Sequence, residues 1–255
     1  MGRVAAVLIP PILFGVLFIA GWQLLVRGAD ISQFVLPAPS DIWSSAIDQH
    51  SGIFADARYT GLNALVGLAL GTVVGVLLAA VAARLPIFGG IVTPLVAGLA
   101  AIPIVALAPL LTDMYSVTSS LPRRLVVAVA AFVPVFINTL RGLSRLSPVH
   151  RELMQSYAAS GTAVLRTIRI PGAMPHFFTG LRIASSLAVI TAVVSEYFGG
   201  ESVGLGSRIT DSVGQSDYPA AWATVLGAVV LGLIFYVIAL LLERAVLGRR
   251  ATAAL

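Results

Sequence analysis

The sequence predicts an all-α membrane protein with six transmembrane helices. Its 255 residues are 58% hydrophobic and only 11% charged, with a mean hydropathy of +0.97. A soluble domain carries about 25% charged residues, so this chain lacks the polar surface that keeps such a domain in water. Long apolar stretches also separate its charges into short clusters. We therefore treat residues 1–255 as a single transmembrane domain.

Four stretches without any charge are each long enough to cross a membrane alone. About 20 apolar residues, each rising 1.5 Å in a helix, cover about 30 Å of hydrocarbon. These stretches predict spans one, two, three and six at about residues 4–26, 60–83, 88–112 and 218–242. The first stretch is too long for the apolar core of a signal peptide and is interpreted as a retained span.

Two further spans are bounded more closely by charged residues. The fourth, at about residues 124–143, is short, but the arginine at each end is long enough to reach the membrane interface. The fifth, at about residues 177–198, has its uncharged centre between Arg182 and Glu196. Six spans place both termini on the same side of the membrane.

The distribution of arginine predicts that this side is the cytoplasm. With a cytoplasmic N-terminus, eleven arginines lie on the cytoplasmic side and five lie outside. This excess of positive charge inside is the bias that sets the orientation of membrane proteins. We therefore expect cytoplasmic N- and C-termini.

The residue types that the sequence lacks exclude several functions. All sixteen basic residues are arginine, so the chain has no phosphate-binding lysine of a P-loop and no ATP-hydrolysing site of that kind. Without cysteine, and with only three histidines, a thiolate, disulfide or metal site is not expected. The arginines form short clusters rather than one basic face, which argues against nucleic-acid binding. We predict no catalytic, metal-binding or cofactor-binding residues in this chain.

Small residues at every fourth position of the second span predict a face for close helix packing. These residues are Gly67, Gly71, Gly75, Ala79 and Ala83. A groove that lines a pore is the alternative interpretation of the same pattern. Prolines in the third span, at positions 94, 103 and 109, predict bends that serve either as hinges or as fixed kinks.

The longest cytoplasmic stretch, residues 147–171, predicts two short amphipathic helices joined by a turn. Ser147 can cap a first helix that begins at Pro148. Thr162 can cap a second helix, which we expect to end at Pro171. Apolar side chains share one face of each helix. They are Val149, Leu153 and Tyr157 on the first helix, and Val164, Leu165 and Ile168 on the second.

In this segment the sequence resembles the inner-membrane permease subunits of binding-protein-dependent ABC importers. Their cytoplasmic signature is Glu-Ala-Ala, three variable residues, Gly, nine variable residues, and then Ile-x-Leu-Pro. The matching residues, in register, are Glu152, Ile168, Ile170 and Pro171.

Three signature positions differ in this chain. Leu153 and Met154 replace the two alanines, and Ala158 replaces the glycine. Because glycine normally supplies the turn, we expect the turn either at Ala158 or at Gly161, three residues later.

Short strings on either side of the segment extend the resemblance to about residues 35–250. They are Leu36 to Asp41, Gly180 to Ala184, Glu196 to Gly199 and Gly204 to Gly206. Together they are similar to the branch of these permeases that serves nitrate, sulfonates and taurine.

The resemblance implies a permease in the cytoplasmic (inner) membrane of a bacterium, in contact with membrane lipid. Two copies, as a homodimer, would receive two cytoplasmic ABC ATPase subunits, which hold ATP and magnesium, and would share one extracytoplasmic substrate-binding protein. The solute would be small and anionic, such as a sulfonate, taurine or nitrate. A thiamine-precursor pyrimidine or another small organic acid is the alternative.

A stand-alone secondary carrier or channel is the rival function, although no span contains a central Asp, Glu or Lys for ion coupling.

The resemblance also implies roles for individual residues, while the substrate pathway remains without assigned residues. Glu152 would make polar contacts with the ATPase, and Ala158 to Gly161 would form the turn. Glu196 would either contact the external binding protein or cap a helix end. The expected apolar and flanking contacts of the ATPase-coupling segment are Leu153, Tyr157, Val164, Leu165, Ile168 and Pro171.

Overall fold

The structure, a computed structural model, describes residues 2–115, 119–144, 148–199 and 202–252, and these residues form helices joined by short connections. The first six helices are α1 (Gly2–Gly28), α2 (Pro39–Asp48), α3 (His50–Arg84), α4 (Pro86–Leu99), α5 (Ile104–Tyr115) and α6 (Leu121–Ser144). The remainder are α7 (Pro148–Ser156), α8 (Gly161–Val164), a π-helical turn (Leu165–Arg169), α9 (Ile170–Phe198), α10 (Leu205–Gly214) and α11 (Tyr218–Thr252).

Five of these helices are long and apolar enough to cross a membrane. They comprise Ile9–Gly28, His50–Arg84, Leu121–Ser144, Gly161–Phe198 and Tyr218–Gly248. The helical membrane architecture predicted from the sequence is therefore confirmed. The number of six spans and the orientation of the chain stay predictions.

The third expected span, residues 88–112, is not one helix. It consists of α4 and α5, which are separated by non-helical residues 100–103. Pro103 explains the break, because its ring disfavours the helical conformation of the residue before it and it has no N–H to donate. The structure thus goes beyond the bend predicted at this proline, because the continuous span expected at 88–112 is divided into two helices.

The fifth span is longer than expected at its N-terminal end. The second helix of the 147–171 segment does not end at Pro171 but continues without interruption from Gly161 to Phe198. Pro171 lies in the first turn of α9, directly after the π-helical turn. The bonding register changes there from i→i+5 to i→i+4, so a missing N–H is tolerated.

The small residues of α3 form the packing face against α6. Gly67, Gly71 and Gly75 are buried, and a Cβ atom on Gly75 would lie 3.1 Å from the carbonyl oxygen of Phe132. Ala79 is also buried, whereas Ala82 takes the place expected for Ala83. Residues four apart advance by about 400° in a helix, so a strict four-residue spacing drifts around the helix.

The helices α3, α6 and α9 form the centre of the bundle, and α1 and α11 lie outside it. Ala64, Val127 and Ala192 from the three central helices are buried in one apolar cluster. The outer helices α1 and α11 are mostly exposed and touch through the rings of Trp22 and Trp222, whose centroids are 5.8 Å apart.

We expect Gly71→Ala to destabilise the protein by about 1–3 kcal/mol, the usual cost of overpacking a tight interface. The new methyl group would collide with the backbone carbonyl of Ala128 on α6, which cannot rotate away as a side chain can. Thermal unfolding in detergent measures the effect. Gly90→Ala is the matched control, because no atom lies within 4 Å of a Cβ at Gly90 in α4. Equal melting temperatures of the two variants would contradict the predicted interface.

Candidate functional site

The first helix of the candidate coupling segment, α7, presents an apolar stripe to the outside. Val149, Leu153 and Tyr157 are spaced four residues apart and are 69%, 47% and 75% exposed. Glu152 is exposed on the same helix. Residues four apart share a helix face, so the stripe is continuous. The other face of α7, through Met154 and Gln155, points back towards the bundle and lines a cavity.

The turn after α7 lies at Ala158, at the position of the signature glycine. Ala158 has a φ of 48°, in the left-handed region. Its N–H donates to the carbonyl of Gln155 and the N–H of Ala159 donates to the carbonyl of Met154, both at 2.9 Å. This pair of bonds is the Schellman arrangement that closes a helix with a left-handed residue. The chain therefore makes a left-handed turn at the position of the signature glycine, with alanine there.

Gly161 does not form the turn but begins α8. Ser160, rather than the expected Thr162, caps that helix: its hydroxyl oxygen accepts the N–H of Ala163 at 3.3 Å. No atom lies within 4 Å of a Cβ at Gly161, so glycine is not required at this position. Ser147, the expected cap of α7, lies outside the described residues.

The remaining segment residues connect α8 to the membrane. Val164, Leu165, Ile168 and Pro171 are half-buried on the helix that continues into α9. A cavity of about 620 Å³ separates this helix from the end of α3, with Arg84, Gln155 and Arg169 among its lining residues. The structure thus places an exposed stripe on α7 and a half-buried set on the continuous helix.

Glu196 lies at the opposite end of α9 from the coupling segment, and only 1% of it is exposed. Its Oε2 accepts the hydroxyl of Thr60 on α3 at 2.8 Å and the N–H of Gly206 at 3.2 Å. The carboxylate is therefore directed into the protein, at the first turn of α10. In this arrangement it offers no surface to a second polypeptide.

Sequence reasoning missed the partners of Glu196. Thr60 stands 136 positions before it in the chain. Asp56, which forms an ion pair with Arg208 at 2.7 Å, is 152 positions from its partner in sequence. The Gly204-Leu-Gly206 string was the available signal. A glycine at a positive φ, 111° for Gly204, indicates a close backbone approach.

We expect Ala158→Gly to stabilise the turn after α7, because a non-glycine residue in the left-handed region costs about 1–2 kcal/mol. Hydrogen exchange of the α7 amides should slow by about fivefold or more. Ala159→Gly is the control, since Ala159 does not have a positive φ and gains nothing from glycine. Faster exchange in Ala158→Gly than in the unchanged chain would refute this account of the turn.

Comparison with known proteins places this geometry in a family. The family described as binding-protein-dependent transport system inner membrane component matches residues 71–248. This range includes the whole coupling segment, α9 and α10.

Three relatives span most or much of the chain. A formylaminopyrimidine transport permease protein of Halalkalibacterium halodurans is 31% identical over 227 residues, which cover 88% of this chain and 89% of the relative. A bicarbonate transport system permease protein of Synechocystis sp. is 29% identical over 264 residues, with coverage of 94% and 86%. A taurine transport system permease protein of Escherichia coli is 28% identical over 167 residues, with coverage of 66% and 58%.

These matches confirm the resemblance found in the coupling segment and its flanking strings. They also agree with the five apolar helices and with a multi-pass position in the inner membrane. The chain belongs to the inner-membrane permease components of binding-protein-dependent ABC importers.

Proposed function

We propose that this chain forms the translocation pathway of an ABC importer as a homodimer and couples it to ATP hydrolysis in a separate subunit. The observation that carries the proposal is the exposed apolar stripe of α7, formed by Val149, Leu153 and Tyr157. The family argues against a stand-alone carrier or channel, because its members are components of binding-protein-dependent systems.

The stripe has the properties of a helix that docks in a groove. Apolar anchors four residues apart are the usual contacts of such helices. Burial of one large apolar side chain contributes about 1.5–3 kcal/mol, and tyrosine is enriched among the residues that dominate interfaces. Glu152, exposed beside Leu153, would supply a polar contact at the rim of the groove.

The ATPase subunit would hold the nucleotide and its magnesium. This chain has no lysine to contact phosphates as a P-loop does. Closure of two ATPase subunits on ATP would displace each docked α7, and the half-buried Val164 and Leu165 would pass that displacement to the continuous helix. Two copies of this chain related by a two-fold axis would present one coupling segment to each ATPase.

The external binding protein would deliver the solute to the opposite side of the membrane. The family is defined by dependence on such a protein, and α10 with its polar neighbours lies at the end of the bundle opposite to α7. Asp56, Arg208 and Asp211 line a polar cavity of about 410 Å³ there. We infer that this end faces the binding protein.

Tyr157→Ala and Leu153→Asp should each reduce recovery of the ATPase with the tagged chain from detergent extracts. The loss of one apolar anchor corresponds to an affinity lower by about tenfold to a hundredfold. Trp43→Ala is the matched control, because Trp43 is an equally accessible aromatic residue, 66% exposed, on α2 near the other end of the bundle. Mass spectrometry of the recovered proteins identifies the ATPase. Undiminished recovery by both α7 variants would refute docking through the stripe, and recovery of no ATPase by the unchanged chain would refute the proposed function.

For the solute, we propose a small anion of the sulfonate, taurine or nitrate type, with a thiamine-precursor pyrimidine as the alternative. The named relatives support both, since one transports taurine, one bicarbonate and one formylaminopyrimidine. The solute therefore differs among proteins of similar sequence.

Growth of cells that lack this chain distinguishes the two classes of solute. We expect failure to grow with taurine or an alkanesulfonate as the only sulfur source, or with nitrate as the only nitrogen source. Growth on sulfate and ammonium is the control and should be normal. Normal growth on the anions, together with a new requirement for thiamine, would instead support the pyrimidine.

A further inference from the structure

The start of α10 is capped entirely by side chains from two other helices. Three consecutive backbone N–H groups at its N-terminus donate to Asp56, Thr60 and Glu196. The bonds are Gly204 N–H to Asp56 Oδ1 at 3.2 Å, Leu205 N–H to Thr60 Oγ1 at 3.0 Å, and Gly206 N–H to Glu196 Oε2 at 3.2 Å. The helix has no side-chain cap of its own, whereas most helices use a local Ser, Thr, Asp or Asn for this purpose.

Thr60 joins three helices through one hydroxyl group. It donates its hydrogen to Glu196 on α9 at 2.8 Å and accepts the N–H of Leu205 on α10. Thr60 and Leu205 are fully buried, and 1% of Glu196 is exposed. Each bond is therefore shielded from competing water, which makes it stronger than a surface hydrogen bond. We call Thr60, Glu196 and the three capped N–H groups the outer anchor.

Two glycines allow α10 to lie directly against α9. A Cβ on Gly204 would lie 2.5 Å from the carboxyl group of Glu196, and a Cβ on Gly206 would collide with the backbone carbonyl of Val193. Between them, the side chain of Leu205 is completely buried. The Gly-Leu-Gly string thus provides contact between two helix backbones, with one apolar side chain inserted.

A partly exposed ion pair lies beside the buried part of the outer anchor. Arg208 Nε on α10 contacts Asp56 Oδ2 on α3 at 2.7 Å, and Arg208 also donates to Gln49 at 3.3 Å. The two helices that cap the start of α10, α3 and α9, are central spans of the bundle, and α10 also packs against α11.

The anchor is more elaborate than the stability of a ten-residue helix requires. A cap of the usual kind, from a serine, threonine, aspartate or asparagine of the helix itself, needs no buried carboxylate from another helix. Instead, Glu196 is buried, and among the described residues its second oxygen, Oε1, accepts no hydrogen bond. A buried carboxylate that is only partly bonded opposes folding, so its presence points to a role in connecting α9 to α10.

The other end of α9 is the coupling segment. The helix from Gly161 to Phe198 has 38 residues, which corresponds to about 57 Å at 1.5 Å per residue. Val164 and Leu165 lie in its first turns, and Glu196 lies two residues before its end. A displacement of the segment therefore acts on one end of a continuous helix whose other end holds α10.

We propose that Thr60 and Glu196 are positioning residues that make α10 move with α9, so that a displacement of the coupling segment reaches the outer end of the protein. The proposal rests on the proposed function, in which an ATPase displaces that segment. In this proposal the external binding protein contacts a moving α10, and not only the moving ends of the spans.

The absence of cysteine from the chain allows single spin labels to test the proposal. Two single-label proteins are needed. The first carries Asp211→Cys, exposed on α10, and the second carries Ile183→Cys, 46% exposed on α9. Each label reports the distance between the two copies of the chain. Pulsed dipolar spectroscopy of the complex with its ATPase, without nucleotide and with Mg-ATP and vanadate, gives the displacement at each position. In the otherwise unchanged chain we expect both distances to shift.

Thr60→Val removes the bridging hydroxyl and keeps the shape of the side chain. We expect the shift at Asp211→Cys to be lost, while the shift at Ile183→Cys is retained, because α9 still moves but no longer carries α10. Thr60→Ser restores the hydroxyl and should restore the shift. Thr224→Val is the matched control, since Thr224 is fully buried but, among the described residues, its hydroxyl bonds only to Ala220 in its own helix, at 2.9 Å.

The outcomes separate this proposal from the proposed function. Unchanged shifts at both labels in Thr60→Val would overturn the proposal while leaving the permease function intact. If the unchanged chain recovers no ATPase, or if no dipolar signal between two copies is detected, the proposed function and this inference are overturned together. If Thr60→Val is not recovered from membranes, Thr60→Ala, which removes the same hydroxyl with a smaller side chain, replaces it. A full shift at Asp211→Cys in that variant would likewise overturn the proposal.

Discussion

Because hydrocarbon offers no hydrogen-bond partner, polar groups of the spanning helices need partners within the protein. Several hydroxyl and amide side chains of the described helices meet the requirement locally. Thr112, Asn138, Thr179 and Thr224 each donate to the backbone carbonyl four residues earlier. Such residues leave the outer surface of their helix apolar and free to meet lipid or another helix.

Under the same constraint, a polar bond between two helices fixes their relative position. Thr60 and Glu196 connect α3 and α9 to α10, and Arg182 pairs with Glu243 between α9 and α11 at 3.1 Å. Much of the packing of α3 against α6 uses small or apolar side chains instead, as at Gly71 on α3. Apolar contacts permit helices to slide or tilt, whereas these bonds fix one geometry. The α9 helix carries links of this kind at two places, Arg182 near its middle and Glu196 near its end.

Hydropathy predicted most of the fold because the length of a spanning helix is set by the membrane rather than by tertiary contacts. The small-residue face of α3 was predictable for a related reason, since close packing leaves a periodic trace in one helix. The two errors in the course of the spanning helices both concern proline. Pro103 divides a span that hydropathy reads as continuous, and Pro171 lies within a helix that proline was expected to end. A single sequence does not reveal whether a π-helical turn accommodates the proline.

The coupling segment was predictable because its residues are close together in the sequence and follow a helical spacing. The outer anchor was not, since Thr60 and Glu196 are joined only by the packing of α3 against α9. No local pattern relates residues that far apart. Likewise, the choice between Ala158 and Gly161 as the turn depended on a backbone angle, which composition does not report.

The left-handed alanine at position 158 also bears on how the family signature is recognised. If selection acts on a torsion angle, then glycine is the residue that adopts it most readily, but alanine can satisfy the same requirement at a moderate energetic cost. A search that demands glycine at this position would pass over chains such as this one. A motif defined by the left-handed turn would retain them. It would group proteins by the shape of the segment rather than by one residue type.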